Sequence, residues 1–279
     1  MASHFHDNWA RIDESDDPDF FLAALDTSCS PMLLAAERNP EAHFAWLDLR
    51  PGMQVLEVGC GPGGLTQLLA GLAAPDGRAV GLDISTYMIA EARTRAVYSR
   101  AAVEFVVGDV HALPFPNHTF DRSLANTTFQ HLVDPQRALA QMVRVTRPGG
   151  LIAVADQDWE TLVIDAADDA LTRRLIGAFA DGLRHGRLGR QLYRLFRTAG
   201  LEDITVTPEP VIYRNFTATR SFMWDQAARI GVERGVATEA ESAAWLADLA
   251  RRDEDGTFFA ACTVFRVTGR APAVAYDRE

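Results

Sequence analysis

Residues 55–65 read Val-Leu-Glu-Val-Gly-Cys-Gly-Pro-Gly-Gly-Leu: an apolar run with an acid near its end, then four glycines within six positions. A helical pattern, Leu65 to Ala70, follows directly. Glycine enters positive φ without steric cost and leaves bare backbone N–H groups at the surface of a turn. A strand that stops at such a turn and resumes as a helix belongs to βαβ architecture, and it offers a helix N-terminus to a ligand. The spelling alone leaves the ligand open. Gly59, Gly61 and Gly64 satisfy G-x-G-x-x-G, Gly59, Gly61 and Gly63 satisfy G-x-G-x-G, and an ordinary strand-to-helix turn carries the same letters.

The next two apolar segments narrow the choice. Ala79 to Leu82 closes on Asp83, and Val103 to Val107 closes on Gly108-Asp109. Asp83 lies 24 residues after Gly59, close to the offset of about 20 at which a carboxylate receives ribose hydroxyls. Three strand-like segments, two of them ending in an acid, describe the carboxyl edge of a parallel sheet, where open α/β folds bind ligands.

At this point the chain resembles the class I S-adenosylmethionine-dependent methyltransferases, and within them the small-molecule branch that includes the ubiquinone and menaquinone C-methyltransferases. The resemblance covers about residues 40–207, with a weaker stretch at 257–268. Its landmarks are Leu56 to Gly63, Gly81-Leu82-Asp83-Ile84-Ser85, Gly108 to Phe115, Phe120-Asp121, His131 to Pro135, and Arg147-Pro148-Gly149-Gly150. Six loose motifs in one order are specific together. The resemblance implies a Rossmann-like α/β fold: a seven-stranded, mostly parallel sheet with an antiparallel last strand, helices on both faces, and a helical lid. It also implies a cofactor site made by Glu57, Gly59, Cys60, Gly61, Gly63, Asp83, Ile84, Met88, Asp109, Val110 and Asn126. In it Glu57 helps hold the amino-acid end of the cofactor and Asp109 takes the adenine amine. A nicotinamide cofactor has no ammonium group to match Glu57. A NAD(P)-linked oxidoreductase and a non-catalytic cofactor-binding module on the same fold remain the alternative readings.

Composition bounds the function classes. Of 279 residues 48% are apolar, enough for a large core. The net charge of −11 argues against gripping a nucleic-acid backbone, which needs clustered Lys and Arg. Cys29, Cys60 and Cys262 are odd in number and widely spaced, so neither a disulfide framework nor a metal site is expected. Residues 1–20 carry acids and no apolar core, unlike a signal peptide. No run approaches the ~18 apolar residues of a membrane span. The expectation is a soluble, cytoplasmic protein acting on a small molecule, with no nucleic-acid partner; oligomeric state has no signature in the chain.

The pattern divides into an N-terminal helical cap (1–50), a methyltransferase core (51–207), a helical lid (208–256), a last core strand (257–269) and a loose tail (270–279). Within it, residues 152–156 should be strand five and 167–199 helical up to a cap at Ala199-Gly200. Residues 204–207 should form strand six, and 258–267 strand seven.

Methyl transfer from a sulfonium is an in-line displacement, so the protein chiefly orients the acceptor and excludes water. A base is needed only for an acceptor that is protonated, such as a phenol. His131, after strand four, is the candidate base, because imidazole titrates near neutrality. Families that methylate amide or nucleobase amines carry an Asn- or Asp-Pro-Pro-aromatic motif here; Thr127 and Thr128 replace both prolines, which argues against such substrates. Asp156 and Asp158 stand at the end of strand five, where an acid could accept a proton or cap a helix. Trp9, Trp159, Tyr213 and Trp224 are the candidate walls of a flat, apolar acceptor pocket.

Overall fold

The computed structural model describes residue 9 and residues 11–273, with side chains described for all of these except 28–37. Parallel strands covered on both faces need continuous apolar runs, and the central ones have them: β1 (Gln54–Val58), β2 (Arg78–Asp83), β3 (Val103–Val107) and β4 (Phe120–Asn126). With β5 (Thr146–Ile164), β6 (Glu202–Tyr213) and β7 (Ala260–Arg270) they form one sheet in the order β3-β2-β1-β4-β5-β7-β6. The first five strands are parallel, and β7 runs antiparallel between β5 and β6. This is the expected fold. From β1 the chain winds outward to β2 and β3, then returns to place β4 on the other side of β1. That reversal opens a crevice at the carboxyl ends of β1 and β4, where ligands of doubly wound sheets sit.

The helices are α1 (Pro18–Arg38), α2 (Pro40–His43), α3 (Gly64–Ala73), α4 (Thr86–Arg95), α5 (Pro135–Val145), α6 (Asp169–Gly182), α7 (Leu188–Thr198), α8 (Phe216–Thr219), α9 (Asp225–Glu233) and α10 (Glu239–Glu254). Their ends follow local chemistry. Asp134 caps α5, accepting from Arg137 N–H at 3.0 Å, and Pro135 supplies the φ that the first turn needs. Thr238 and Glu241 form a reciprocal capping box on α10. Gly200, at φ +77°, turns the chain out of α7 into β6.

Alternation along the strands sends side chains to two cores. Leu56, Val58, Ile152 and Val154 face α5 and α7 with Leu139, Met142 and Leu192. Val55, Leu124 and Ala153 face α3 with Leu65 and Leu69, and Phe44 and Leu47 close that side. Each fully buried Leu, Ile or Phe contributes about 1.5–3 kcal/mol.

The structure moves several expected boundaries: strand five is longer than 152–156, running from Thr146 to Ile164, and the helical stretch 167–199 is two helices, α6 and α7. Strand six does not stop at 207: it continues to Tyr213, paired with Ala260 of β7. Being an edge strand, it buries neither face well, so its weak apolar alternation reads short. The helices that follow, α8 to α10 with a π-helical turn at Arg220–Trp224, share a third core with α6 and the far end of β5. The tail also starts later, because Arg270 is still in β7, opposite Leu151. Among the described residues no helix is long and apolar enough to cross a membrane.

Candidate active site

The glycine turn lies at the end of β1 in the crevice. Gly59, Gly61 and Gly63 have φ of +69°, +51° and +81°, a region costly for other residues. Two of them are also required by contact. A Cβ on Gly59 would lie 2.3 Å from Thr128 Oγ1, and one on Gly63 would lie 2.6 Å from the Phe105 ring. Gly63 stands at the N-cap of α3, which has no side-chain cap, so the helix presents bare N–H groups to the crevice.

Asp83, ending β2, fastens the turn from the next strand. Its carboxylate accepts from Gly61 N–H and from Ser85 N–H, both at 2.9 Å. Burial raises its affinity for a proton and these N–H groups oppose that. Glu57 is 3% exposed and accepts from Thr66 Oγ1 at 2.5 Å. Burial pushes its carboxyl up to about 8, with the nearby Asp83 charge adding to the shift. Two buried acids side by side, each raising the other's affinity for positive charge, make this end of the crevice receptive to a positive group. Asp109, half exposed, accepts from His111 N–H at 2.9 Å and contacts His111 Nδ1 at 2.6 Å. Ile84, beside Asp83, is 51% exposed, an apolar surface left open at the edge.

Not every anticipated side chain points into the crevice. Cys60 packs with Ile89, Ala92 and Phe105, and burial pushes its thiol well up, so only its backbone belongs to the turn. Met88 is covered by Ile12 and Phe21, and Val110 lies in the α5 core. Asn126 is at the end of β4 and lines a pocket on the α3 side of the sheet.

The loop after β4 carries His131. Its ring stacks on Trp9, centroids 5.6 Å apart and planes 27° apart, and Trp9 meets the edge of Phe21. Trp9 and His131 therefore stand together at the crevice. Of the other three aromatic candidates, Trp159 reaches the same loop through Gln130, and Tyr213 and Trp224 pack together elsewhere. Trp224 is fully buried, its Nε1–H donating to Thr219 Oγ1, with Tyr213 and Phe258 edge-on to its ring. Trp159 meets Phe179 edge-on and donates to Gln130 Oε1 at 2.7 Å. Trp224 belongs to the third core formed with α6 and α8 to α10, and Trp159 and Tyr213 pack half-buried against it.

Three more acids lie around the crevice: Asp13, which carried no sequence signal, and Asp156 and Asp158, the two anticipated at the end of strand five. Asp13, from the N-terminal segment, accepts from Ser85 Oγ, Thr86 N–H and Thr86 Oγ1 at 2.5–2.7 Å, and these bonds hold its carboxyl down at about 2. Asp156, fully buried in β5, accepts from Gln130 N–H at 3.3 Å, with the N–H groups of Phe129 and Thr128 also facing its carboxyl; burial pushes it up to about 8. Asp158 instead pairs with Arg190 of α7.

Residues 56–154 match the model of a methyltransferase domain family. The chain is 37% identical over 227 residues to an uncharacterized 37.1 kDa protein in transposon TN4556 of Streptomyces fradiae, covering 81% of this chain and 64% of that one. It is 38% identical over 112 residues to a demethylmenaquinone methyltransferase of Symbiobacterium thermophilum, covering 39% of this chain and 43% of the relative. It thus spans less than two thirds of the length of either. In fold it is similar to the YcgJ protein of Bacillus subtilis, with a TM-score of 0.59 at 16% identity over 83% of this chain and 97% of that one. The matched stretch runs from β1 to β5 and contains the glycine turn and both acids that follow it, so residues 56–154 are similar to a methyltransferase domain, and part of the chain is similar to a quinone methyltransferase.

Proposed function

We propose that this chain binds S-adenosylmethionine in the crevice and directs its methyl group to a small organic acceptor, in the cytoplasm and without a nucleic-acid partner. The observation that carries this reading is the glycine turn fastened by Asp83, with no space for a side chain at Gly59 or Gly63. When bound, the cofactor supplies both the electrophilic methyl group and its leaving group. Glu57 would hold the ammonium end, Asp83 the ribose, and Asp109 the adenine amine, with Ile84 against the adenine ring. The backbone of Gly59 to Gly63 gives the close approach. Trp9, Ile12 and Phe21 cover the crevice and keep water out. The loop Asn126 to His131 faces the acceptor, and His131 takes the proton of an acceptor that arrives as a phenol or enol. The net charge of −11 supports a small acceptor over a nucleic acid, and a quinone-like acceptor is supported by the similarity to a demethylmenaquinone methyltransferase.

Calorimetry with S-adenosylmethionine and with NAD, followed by transfer of labelled methyl to a panel of phenols, quinols and enolic ketones, tests the reading. Binding of the sulfonium cofactor and a product heavier by one methyl group are expected, both lost in Asp83→Ala. Binding of NAD alone would sink the proposal.

A further inference from the structure

Asp109, which follows β3 at the carboxyl edge of the sheet, is tied to the start of α5 by one imidazole ring. Residues 110–112 form a short 3₁₀ turn capped by Asp109, and Val110 and Leu113 bury on either side of it with Leu139 and Met142 of α5. His111 is thereby held between two elements. Its Nδ1 lies 2.6 Å from Asp109 Oδ1, and its Nε2 lies 3.2 Å from the backbone nitrogen of Asp134. These partners assign the tautomer. A backbone N–H can only donate, so Nε2 accepts from Asp134, and the ring proton sits on Nδ1, where it donates to the carboxylate. The start of α5 grips the same residue a second time, as Arg137 Nε–H donates to His111 O at 3.0 Å. The His111 side chain is 15% exposed and that of Asp109 50%, so the ring is covered while the acid stays half open.

Asp109 accepts from the His111 N–H at 2.9 Å as well as from the ring, and both bonds end on Oδ1. Oδ2 is left open to a ligand. Burial raises the Asp109 carboxyl, but the bonds from His111 more than offset this, with Arg137 adding to them, and the carboxyl lies below its ordinary value. An ionised carboxylate can only accept. It suits a purine whose six-position carries an amine and repels one that carries a carbonyl there. We propose that His111 is a positioning residue for this selection. Its Nδ1–H holds Asp109 charged and turned so that Oδ2 takes an amine over a carbonyl, and its Nε2 ties that acid to the segment leading from His131 into α5. The inference rests on the reading of Asp109 as the acid for the adenine amine, and it names the residue that gives that acid its selectivity.

Two replacements of similar shape separate the two bonds. His111→Asn puts an amide N–H where Nδ1–H stood and nothing at Nε2; His111→Gln puts an amide oxygen near Nε2 and no donor at Nδ1. Calorimetry on the full chain compares S-adenosylhomocysteine with S-inosylhomocysteine, which set an amine against a carbonyl at the six-position of the purine. The wild type should prefer the adenosyl ligand at least about tenfold, the lower range of a hydrogen bond to a charged group. His111→Gln should cut that preference about three- to tenfold, and His111→Asn should keep most of it. Hydrogen exchange at the Asp134 amide should respond the other way, faster in His111→Asn and unchanged in His111→Gln. In the wild type labelled with nitrogen-15, the His111 ring should show its proton on Nδ1, the tautomer less favoured by free histidine. That measurement needs no variant and stands if either variant fails to fold. A proton on Nε2, equal binding of the two ligands by the wild type, an unchanged preference in His111→Gln, or an equal loss in both variants overturns the inference. Failure to bind S-adenosylhomocysteine overturns the methyl-transfer reading instead, so the two failures are distinguishable.

Discussion

Gly59 and Thr128 show how closely the crevice is built. Thr128 is anchored to the backbone by its hydroxyl, which donates to Asn126 O at 3.0 Å, and its side chain occupies the space a Gly59 Cβ would need. Gly59→Ala therefore meets two costs, a positive φ and a collision. The double variant Gly59→Ala/Thr128→Gly removes only the collision. We expect Gly59→Ala to weaken cofactor binding at least about 100-fold and the double variant to recover part of it, since the φ alone costs about 1–2 kcal/mol; calorimetry checks both. Glu57 gives a second prediction at this scale. With its carboxyl near 8, the ligand-free protein holds this proton at pH 7. An ammonium brought beside it favours the charged form. Cofactor binding at pH 7 should thus release up to about one proton, read by calorimetry in buffers of different ionisation enthalpy. Glu57→Gln should release none from this site.

Among the elements, the loop between β4 and α5 depends most on its neighbours. Thr127 sits at φ +53°, strained for a β-branched residue, and its N–H donates to Ala155 O at 2.8 Å. From below, Asp156 holds Gln130 N–H, with the N–H groups of Thr128 and Phe129 also against it. Asp156 positions the segment that carries His131. Asp156→Ala should cost about 1–3 kcal/mol, because it leaves buried N–H groups unpaired. Hydrogen exchange at residues 128–130 should then accelerate while the amides of β1 and β2 stay protected. Uniform acceleration across the sheet would mean that Asp156 supports the whole fold and not this loop. α8 to α10 are held differently, by Trp224, Trp245 and Phe258 around α6. Trp224→Ala should destabilise by about 3–5 kcal/mol, as large core truncations do, measured by chemical denaturation.

For the whole molecule, buried acids set the response to pH. Glu57 and Asp156 have folded values near 8, against 4.5 and 3.8 for free side chains. The folded state then binds more protons than the unfolded state between these limits. Stability from these two groups is fully present below about pH 4 and is lost as pH rises through about 8. Asp13 works in the opposite direction, but between 3.8 and about 2, outside this window. The ligand-free thermal midpoint should fall from pH 5 to pH 8, and Glu57→Gln should flatten the slope. A midpoint that rises over this range would contradict the burial of both carboxyls.

What was legible in the chain was local. The apolar runs, the glycines of positive φ, the acids that close β2 and β3, and the Asp134-Pro135 cap each act within a few residues, and local sterics and hydrogen bonding follow from residue type alone. These features determined the sheet and the outline of the crevice at its carboxyl edge. Tertiary structure decided what depends on residues far apart in the chain meeting in space. It buried Trp224 in a third core and packed Trp159 and Tyr213, half-buried, against that core, because α6 and α8 to α10 offered those rings more apolar contact than a surface could. It set Thr128 over Gly59 and Asp156 under the loop. It also brought Trp46 and Arg266 together across 220 residues. No periodicity encodes such a meeting, because it is fixed only when the antiparallel strand β7 enters the sheet between β5 and β6.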